Sequence, residues 1–286
     1  MTAAPRRNQA PPATLLICTD LDRTLIPNGP HAEYPGARER FAAFVARPGI
    51  RLAYVSGRHL ELVLAALVDY ELPRPDYIIS DVGTSILRAD ADQWLPLRDW
   101  REVLTPDWGG VGPEGIAALL ADIRGPQLQE AEKQGPFKLS YYLPMDLEPR
   151  TLLAAMRERL QAHGLRVNLV HSLDEPRKLG LLDILPAGAS KRHAIEFLLD
   201  YLNLTAEDCV FAGDSGNDLE VLASPIPAVL VANAAPEIRA EARALAARAG
   251  HGDKLYCAKG GYAGRNGHYA DGILEGIAYF HPGLVD

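Results

Sequence analysis

Predominantly apolar runs of strand length alternate with helix-period segments at both ends of the chain, and the alternation is absent from its middle. Ala13 to Thr19 (ATLLICT), Ile50 to Val55 and Tyr77 to Ser80 are such runs, the pattern of strands buried on both faces. Between the last two, Leu60, Val63, Leu64, Leu67 and Val68 recur at helical spacing from Arg58 to Tyr70. The rhythm returns late in the chain. Cys209 to Ala212 reads as a strand, Asn217 to Ala223 as a helix, Val229 to Ala232 as a strand and Pro236 to Ala247 as an Ala-rich helix. Strand, helix, strand at this spacing predicts an α/β domain, a parallel sheet with covering helices.

The middle has another texture. Residues 88–136 hold all three Trp, several Pro and Gly, and one helical pattern from Glu114 to Ile123. Phe137 to Leu143 then reads as a strand, and Arg150 to His163 as a helix with Gly164 at its C′ position. Leu165 to Val170 and Leu179 to Leu185 read as antiparallel, half-exposed strands. We therefore expect an α+β unit, residues 88–186, inserted into an α/β core formed by 13–87 and 187–286. A chain of 286 residues has room for two domains at roughly 150 residues each. Residues 1–12 (MTAAPRRNQAPP) are expected to lack fixed structure. Arg6-Arg7 is not expected to open an export signal, because the apolar run Leu15 to Cys18 is short and Asp20 interrupts it.

Composition narrows the functional classes. Hydrophobic residues at 48% and charged residues at 23% exclude a disordered chain, and no apolar run approaches the ~20 residues that span a bilayer. With 29 basic and 37 acidic residues, net −8, the chain lacks the basic footprint of a nucleic-acid binder. An anionic substrate stays compatible, since a bound divalent cation reverses the local field. Cys18, Cys209 and Cys257 are few and far apart, which argues against a disulfide scaffold or a cysteine zinc site and fits a cytoplasmic location. No feature indicates a membrane, and a monomer is the default expectation.

Four strand ends or helix starts carry groups suited to chemistry. The first run leads into Asp20-Leu21-Asp22-Arg23-Thr24, and in an open α/β sheet ligands bind beyond the carboxyl ends of the strands. Two carboxylates this close repel unless a cation lies between them, which points to a hard divalent ion such as Mg²⁺. An acidic loop of this kind is also commonly a solvated turn. The second strand ends in Ser56-Gly57-Arg58 at a helix start, where a hydroxyl and backbone N–H groups form an anion site unless Ser56 merely caps the helix. Lys191 begins the helix Lys191 to Leu202, a place the macrodipole disfavours for a cation; it has either a task there or a surface position. Finally, Cys209 to Ala212 leads into Gly213-Asp214-Ser215-Gly216-Asn217-Asp218. Its glycines permit a tight turn, and Asp214 is placed to complete a metal site.

Taken together and in this order, these motifs resemble the four of the haloacid dehalogenase (HAD) superfamily of phosphatases. The inserted segment resembles the α+β cap, C2 type, of the Cof-type (IIB) branch. Pro75 to Thr84 (PDYIISDVGT), Phe137 to Tyr142 (FKLSYY), Leu182 to Pro186 (LDILP) and Tyr269 to Gly276 (YADGILEG) resemble stretches of sucrose-phosphate phosphatases. The resemblance implies a Rossmann-like core with a parallel sheet. It also implies Asp20 as nucleophile, Asp22 as general acid and base, and Ser56 and Lys191 as phosphate ligands. Mg²⁺ would be held by Asp20, the carbonyl of Asp22, Asp214 and Asp218, and Asn217 would orient Asp20 or the phosphate. Lys138 and Ser140 flank Leu139 on a strand and so share a face. By resemblance that face, with Gly57, Arg58 and His59, addresses the sugar. Arg192 stands where relatives usually have glycine, and residues 250–268 match only loosely, as a surface loop or as part of the site entrance.

The expected activity is Mg²⁺-dependent hydrolysis of sucrose 6-phosphate through an aspartyl phosphate, with a sucrose-phosphate synthase as a conceivable partner. Alternatives are a phosphatase for mannosylfructose phosphate or mannosyl-3-phosphoglycerate, a broad Cof-type phosphatase, or a catalytically silent sugar-phosphate-binding subunit.

Overall fold

The computed structural model describes residues 15–174 and 177–285. Along the chain its elements are β1 (Leu15–Thr19), α1 (Ala37–Val45), β2 (Ile50–Val55), α2 (Leu60–Asp69), β3 (Tyr77–Ser80), β4 (Ser85–Asp90) and β5 (Gln93–Pro96). Then come α3 (Arg98–Leu104), α4 (Pro113–Leu120), β6 (Gln127–Leu128), β7 (Leu139–Leu143), α5 (Pro149–Ala162), β8 (Val167–Asp174) and β9 (Leu179–Pro186). The last stretch holds α6 (Lys191–Leu202), β10 (Cys209–Gly213), α7 (Leu219–Leu222), β11 (Ala228–Leu230), α8 (Pro236–Ala249), β12 (Leu255–Cys257) and α9 (Tyr269–Phe280). The fold is α/β, with a mostly parallel sheet and helices. No helix among the described residues is long and apolar enough to cross a membrane.

The chain forms two compact units. The first comprises 1–55, 64–77 and 195–286, the second 56–63 and 78–194. In the first, parallel strands run in the order β12-β11-β10-β1-β2. Leu16, Ile17, Val210 and Phe211 are fully buried, each worth about 1.5–3 kcal/mol of removed apolar surface. Helix α9 packs on α1 and β11 and is buried from Tyr269 to Ile277. Its two acids are satisfied inside. Arg40 donates to both oxygens of Asp271, at 3.0 and 2.9 Å. The Oε1 of Glu275 accepts from the Tyr256 hydroxyl at 2.8 Å and the Lys259 N–H at 3.0 Å, and its Oε2 from the Gly260 N–H at 3.0 Å. Burial, aided by Glu275, pushes the Tyr256 hydroxyl up to about 12.

In the second unit β4 and β5 form a hairpin, and a separate antiparallel sheet has the order β6-β7-β9-β8. Period-2 alternation divides that sheet's faces. Leu139, Tyr141, Leu143, Leu182 and Ile184 enter a core with Ile116 and Leu120 of α4 and Met156 and Leu160 of α5. Ser140 and Asp183, opposite one another in register, take the other face.

Several boundaries differ from the sequence reading. β1 is described from Leu15, so Ala13 and Thr14, like the tail, lie outside the described residues. β8 starts at Val167 rather than Leu165, and β11 has three residues. In α2 the inward face is Val63 and Ala66, while Val68, expected on the apolar stripe, is 77% exposed.

Candidate active site

In the first unit β1 and β10 pair in parallel with Thr19 beside Ala212, so Asp20 and Asp214 leave neighbouring strands at their carboxyl ends. Asp218 joins them. Carboxylate oxygens of Asp20, Asp214 and Asp218 lie within 4.8 Å of one another, and all three residues are buried. The turn after β10 sets Asp218 in place: its Oδ2 accepts from the backbone N–H of Asp214 at 3.0 Å and of Ser215 at 3.1 Å. Gly213 makes room for it, since a Cβ there would sit 2.5 Å from the Asp218 carboxyl carbon. Asn217 is exposed on the same turn and accepts from the Ser215 hydroxyl at 3.1 Å.

Electrostatics decide what such a cluster is for. At an effective dielectric of ~20, two carboxylates at this separation repel by about 3 kcal/mol, and three of them multiply the cost. The Arg23 guanidinium, 3.5 Å from Asp214 and 56% exposed, and the Thr24 hydroxyl, 3.3 Å from Asp214, offset part of it. The donor set fits a hard divalent cation with oxygen ligands, which would lower the repulsion further.

Asp22 stands apart from the cluster. Its Oδ1 accepts from Asn28 Nδ2 at 2.7 Å, and Asn28 Oδ1 in turn accepts from the Arg23 N–H at 2.8 Å. Asn233 Nδ2 holds the Arg23 carbonyl at 2.6 Å, the Tyr269 hydroxyl holds that of His31 at 3.0 Å, and Asn266 Nδ2 holds that of Ala32 at 3.1 Å. Asn266 of the Gly-rich stretch, with Asn233 and Tyr269 from outside it, thus buttresses the loop that follows the two aspartates.

The second unit holds the remaining predicted residues. Ser56 is buried and its hydroxyl accepts from the Arg58 N–H at 3.1 Å; Gly57 and Arg58 are half-buried, and His59 contacts Glu61 at 2.8 Å. Lys191 is only 2% exposed at the first position of α6, so the surface reading does not hold. Ser190 caps that helix, its hydroxyl accepting from the His193 N–H. Lys138 is buried too, one residue ahead of β7, with Nζ 2.9 Å from Asp81 Oδ1. The Ser140 hydroxyl donates to Asp183 Oδ1 at 2.5 Å.

Three residues received no role from the sequence, although Asp81 and Asp183 lie within stretches that carry the resemblance. Asp81 follows β3 directly, so the strand-end rule that singled out Asp20 and Asp214 applies to it as well. It begins a turn in which Asp81, Val82 and Gly83 all take left-handed φ, at 51°, 58° and 97°. For the two non-glycine residues this costs on the order of 1–3 kcal/mol each. Asp183 is found by register, once β7 and β9 are paired. Asn28 carries no local signal.

Parallel strands ending in clustered carboxylates, with an inserted antiparallel sheet, define a HAD-fold phosphatase. More particularly, the chain belongs to the sucrose-6F-phosphate phosphohydrolase family, whose model matches residues 13–281. A HAD-like hydrolase of Nitrosococcus oceani is 50% identical over 94% of this chain and 72% of its own length. The mannosylfructose-phosphate phosphatase of Agrobacterium fabrum is 30% identical over 93% and 96%. The sucrose-phosphatase of Synechocystis sp. PCC6803, solved with sucrose and phosphate, aligns at TM-score 0.72 and 25% identity, covering 94% of this chain and 98% of that one. The chain spans 52% of the tobacco sucrose-phosphatases it also matches.

Proposed function

We propose that the chain hydrolyses sucrose 6-phosphate to sucrose and phosphate, with residues 13–87 and 187–286 supplying the chemistry and 88–186 reading the sugar. The observation that carries this reading is the buried cluster of Asp20, Asp214 and Asp218 at adjacent strand ends. A cluster so crowded serves an anion only together with a cation. Asp20, the carbonyl of Asp22, Asp214 and Asp218 would hold Mg²⁺, which when bound neutralises charge on the carboxylates and the phosphoryl oxygens.

The chain's own groups divide the rest. Asp20 attacks phosphorus and the bond to the sugar oxygen breaks, leaving an aspartyl phosphate. Asp22 gives its proton to the departing oxygen, then takes one from the water that attacks phosphorus and releases phosphate. Ser56 and Lys191 bind phosphoryl oxygens, Asn217 orients Asp20 or the phosphate, and Gly57 lets backbone approach. Lys138, Ser140, Arg58 and His59 face the leaving group. The likeness to the Synechocystis enzyme, solved with sucrose and phosphate, supports the sugar assignment.

Mannosylfructose phosphate is the second reading, favoured by the Agrobacterium relative that this chain covers over 96% of its length. Pocket contacts separate such sugars by modest energies, so the deciding measurement is phosphate release with Mg²⁺ from both compounds, hexose monophosphates and an aryl phosphate. A kcat/KM for sucrose 6-phosphate about 100-fold above the rest, ~2.7 kcal/mol, supports the first reading. A preference for mannosylfructose phosphate supports the second. An equal response to all would leave a broad phosphatase, and no release from any would leave a binding subunit.

A further inference from the structure

The second unit sets a carboxylate against the one buried lysine that faces the proposed sugar space. The turn after β3 is tied to its neighbours by backbone: the Asp81 N–H donates to the Arg58 carbonyl at 3.0 Å and the Val82 N–H to that of Ser56 at 3.1 Å. The Trp100 indole N–H holds the Gly83 carbonyl at 3.0 Å. Gly83 lies so close to Ser190 that a Cβ would be 2.3 Å from its carbonyl oxygen. One short turn therefore touches the backbone at or beside both proposed phosphate ligands, Ser56 and Lys191. Its first side chain then meets Lys138, with 18% exposure on the carboxylate and 9% on the lysine side chain.

We infer that Asp81 is a specificity-determining residue. By balancing the charge of Lys138, it makes this position read an uncharged polyol leaving group and reject one that carries a carboxylate. The inference rests on the reading of Lys138 as sugar-facing. A buried lysine alone would attract an anionic leaving group. Beside Asp81 the pair is neutral, and a carboxylate brought to the ammonium meets like charge at contact distance. Hydroxyls bring no charge: they accept from the ammonium and donate to the carboxylate, so a sugar satisfies both partners. The strained backbone fits this role, since a left-handed aspartate is kept only where its surroundings fix it.

The test is the ratio of kcat/KM for mannosyl-3-phosphoglycerate, whose leaving alcohol carries a carboxylate, to that for sucrose 6-phosphate. Asp81→Asn should raise the ratio by about tenfold or more, the scale of an unbalanced charge pair. Asp81→Ser, a smaller change in the same turn, should act in the same direction, and Asp81→Glu should return the ratio toward the parent value. A folded Asp81→Asn or Asp81→Ser variant with the parent ratio, including no detectable turnover of the anionic compound, overturns the inference. The same holds if the rise persists in Asp81→Asn/Lys138→Ala. Lys138→Ala alone separates the two layers. If it raises KM for sucrose 6-phosphate while the Asp81 variants leave the ratio still, only the inference fails. If it leaves that KM unmoved, the reading of Lys138 fails and takes the inference with it.

Discussion

Two buried sites, one in each unit, handle charge in opposite ways. In the first, Asp20, Asp214 and Asp218 converge within 4.8 Å, and Arg23 lies 3.5 Å from Asp214. In the second, Lys138 stands at 2.9 Å from Asp81 and Asp107 beside Arg166, so charge is balanced within the fold. Crowding like charges costs folding energy and creates affinity for an external cation. Pairing opposite charges creates none, and leaves a polar surface that distinguishes shapes and hydroxyls. Under the proposed function, the first site is organised around the cation it recruits and the second around the leaving group it tells apart.

The sharpest way to break this contrast is Asp20→Asn. It should lower phosphate release by at least about 10⁴-fold with the circular dichroism spectrum of the folded parent and, without Mg²⁺, a melt no lower than the parent's; substantial residual turnover would remove Asp20 as nucleophile. Chelation should abolish turnover and Mg²⁺ restore it. Mg²⁺ at 100 times its Kd should also add about 2.7 kcal/mol of stability, read as a rise in Tm that Asp20→Asn diminishes. In the second unit Gly83→Ala should cost about 3 kcal/mol or more, because strain and a 2.3 Å clash coincide there. Gly109→Ala, also at positive φ but with nothing within 4 Å, should cost only about 1 kcal/mol in denaturant unfolding. Lys138→Ala should raise KM for the sugar phosphate about tenfold more than KM for an aryl phosphate.

The smallest effect concerns acid. Burial holds His281, in the first unit, below its ordinary value, and its Nε2 is buried without a partner. The folded state therefore resists protonation. Stability from this source is complete above about pH 6.5 and declines as pH falls toward the lowered value. In the second unit Glu130 is held at about 2, first by its backbone hydrogen bond and then by Tyr142 and Lys133. Its contribution is present above about pH 4.5, is lost only as pH falls toward 2, and is weak because the group is fully exposed. The drop in Tm between pH 7.5 and 5.5 should thus shrink in His281→Gln and stay the same in Glu130→Gln.

Much of the mostly parallel sheet and its covering helices is legible from its residues. Ile50–Val55, Tyr77–Ser80 and Lys191–Leu202 declare themselves because strands buried on both faces are mostly apolar, and α6 has a strong helical period. The clustered aspartates follow from the rule that strand ends carry the chemistry. Other elements stay hidden for physical reasons. Helix α9 is buried on nearly every side, carries two glycines and places Asp271 and Glu275 inside, so it shows neither a polar face nor good propensity. The β4–β5 hairpin and two-residue β6 lie in a stretch whose Trp, Pro and Gly carry no clear period. Lys138 reads equally well as an exposed strand residue or a ligand until its partner is known. That partner is 57 residues away in sequence, beyond the reach of any local pattern.

Glu275 grips the Gly-rich stretch by the main-chain N–H groups of Lys259 and Gly260 rather than by side chains. The contour of that loop is therefore set partly from a helix and partly by its own glycines at positive φ, Gly260 and Gly267 among them. Side chains along it that bond no main chain are the ones open to exchange without redrawing the path. A protein built this way can drift in the decoration of such a loop while the outline stays constant, and a library randomised at those positions, with the glycines and Asn266 kept, would sample surface chemistry before it sampled misfolding.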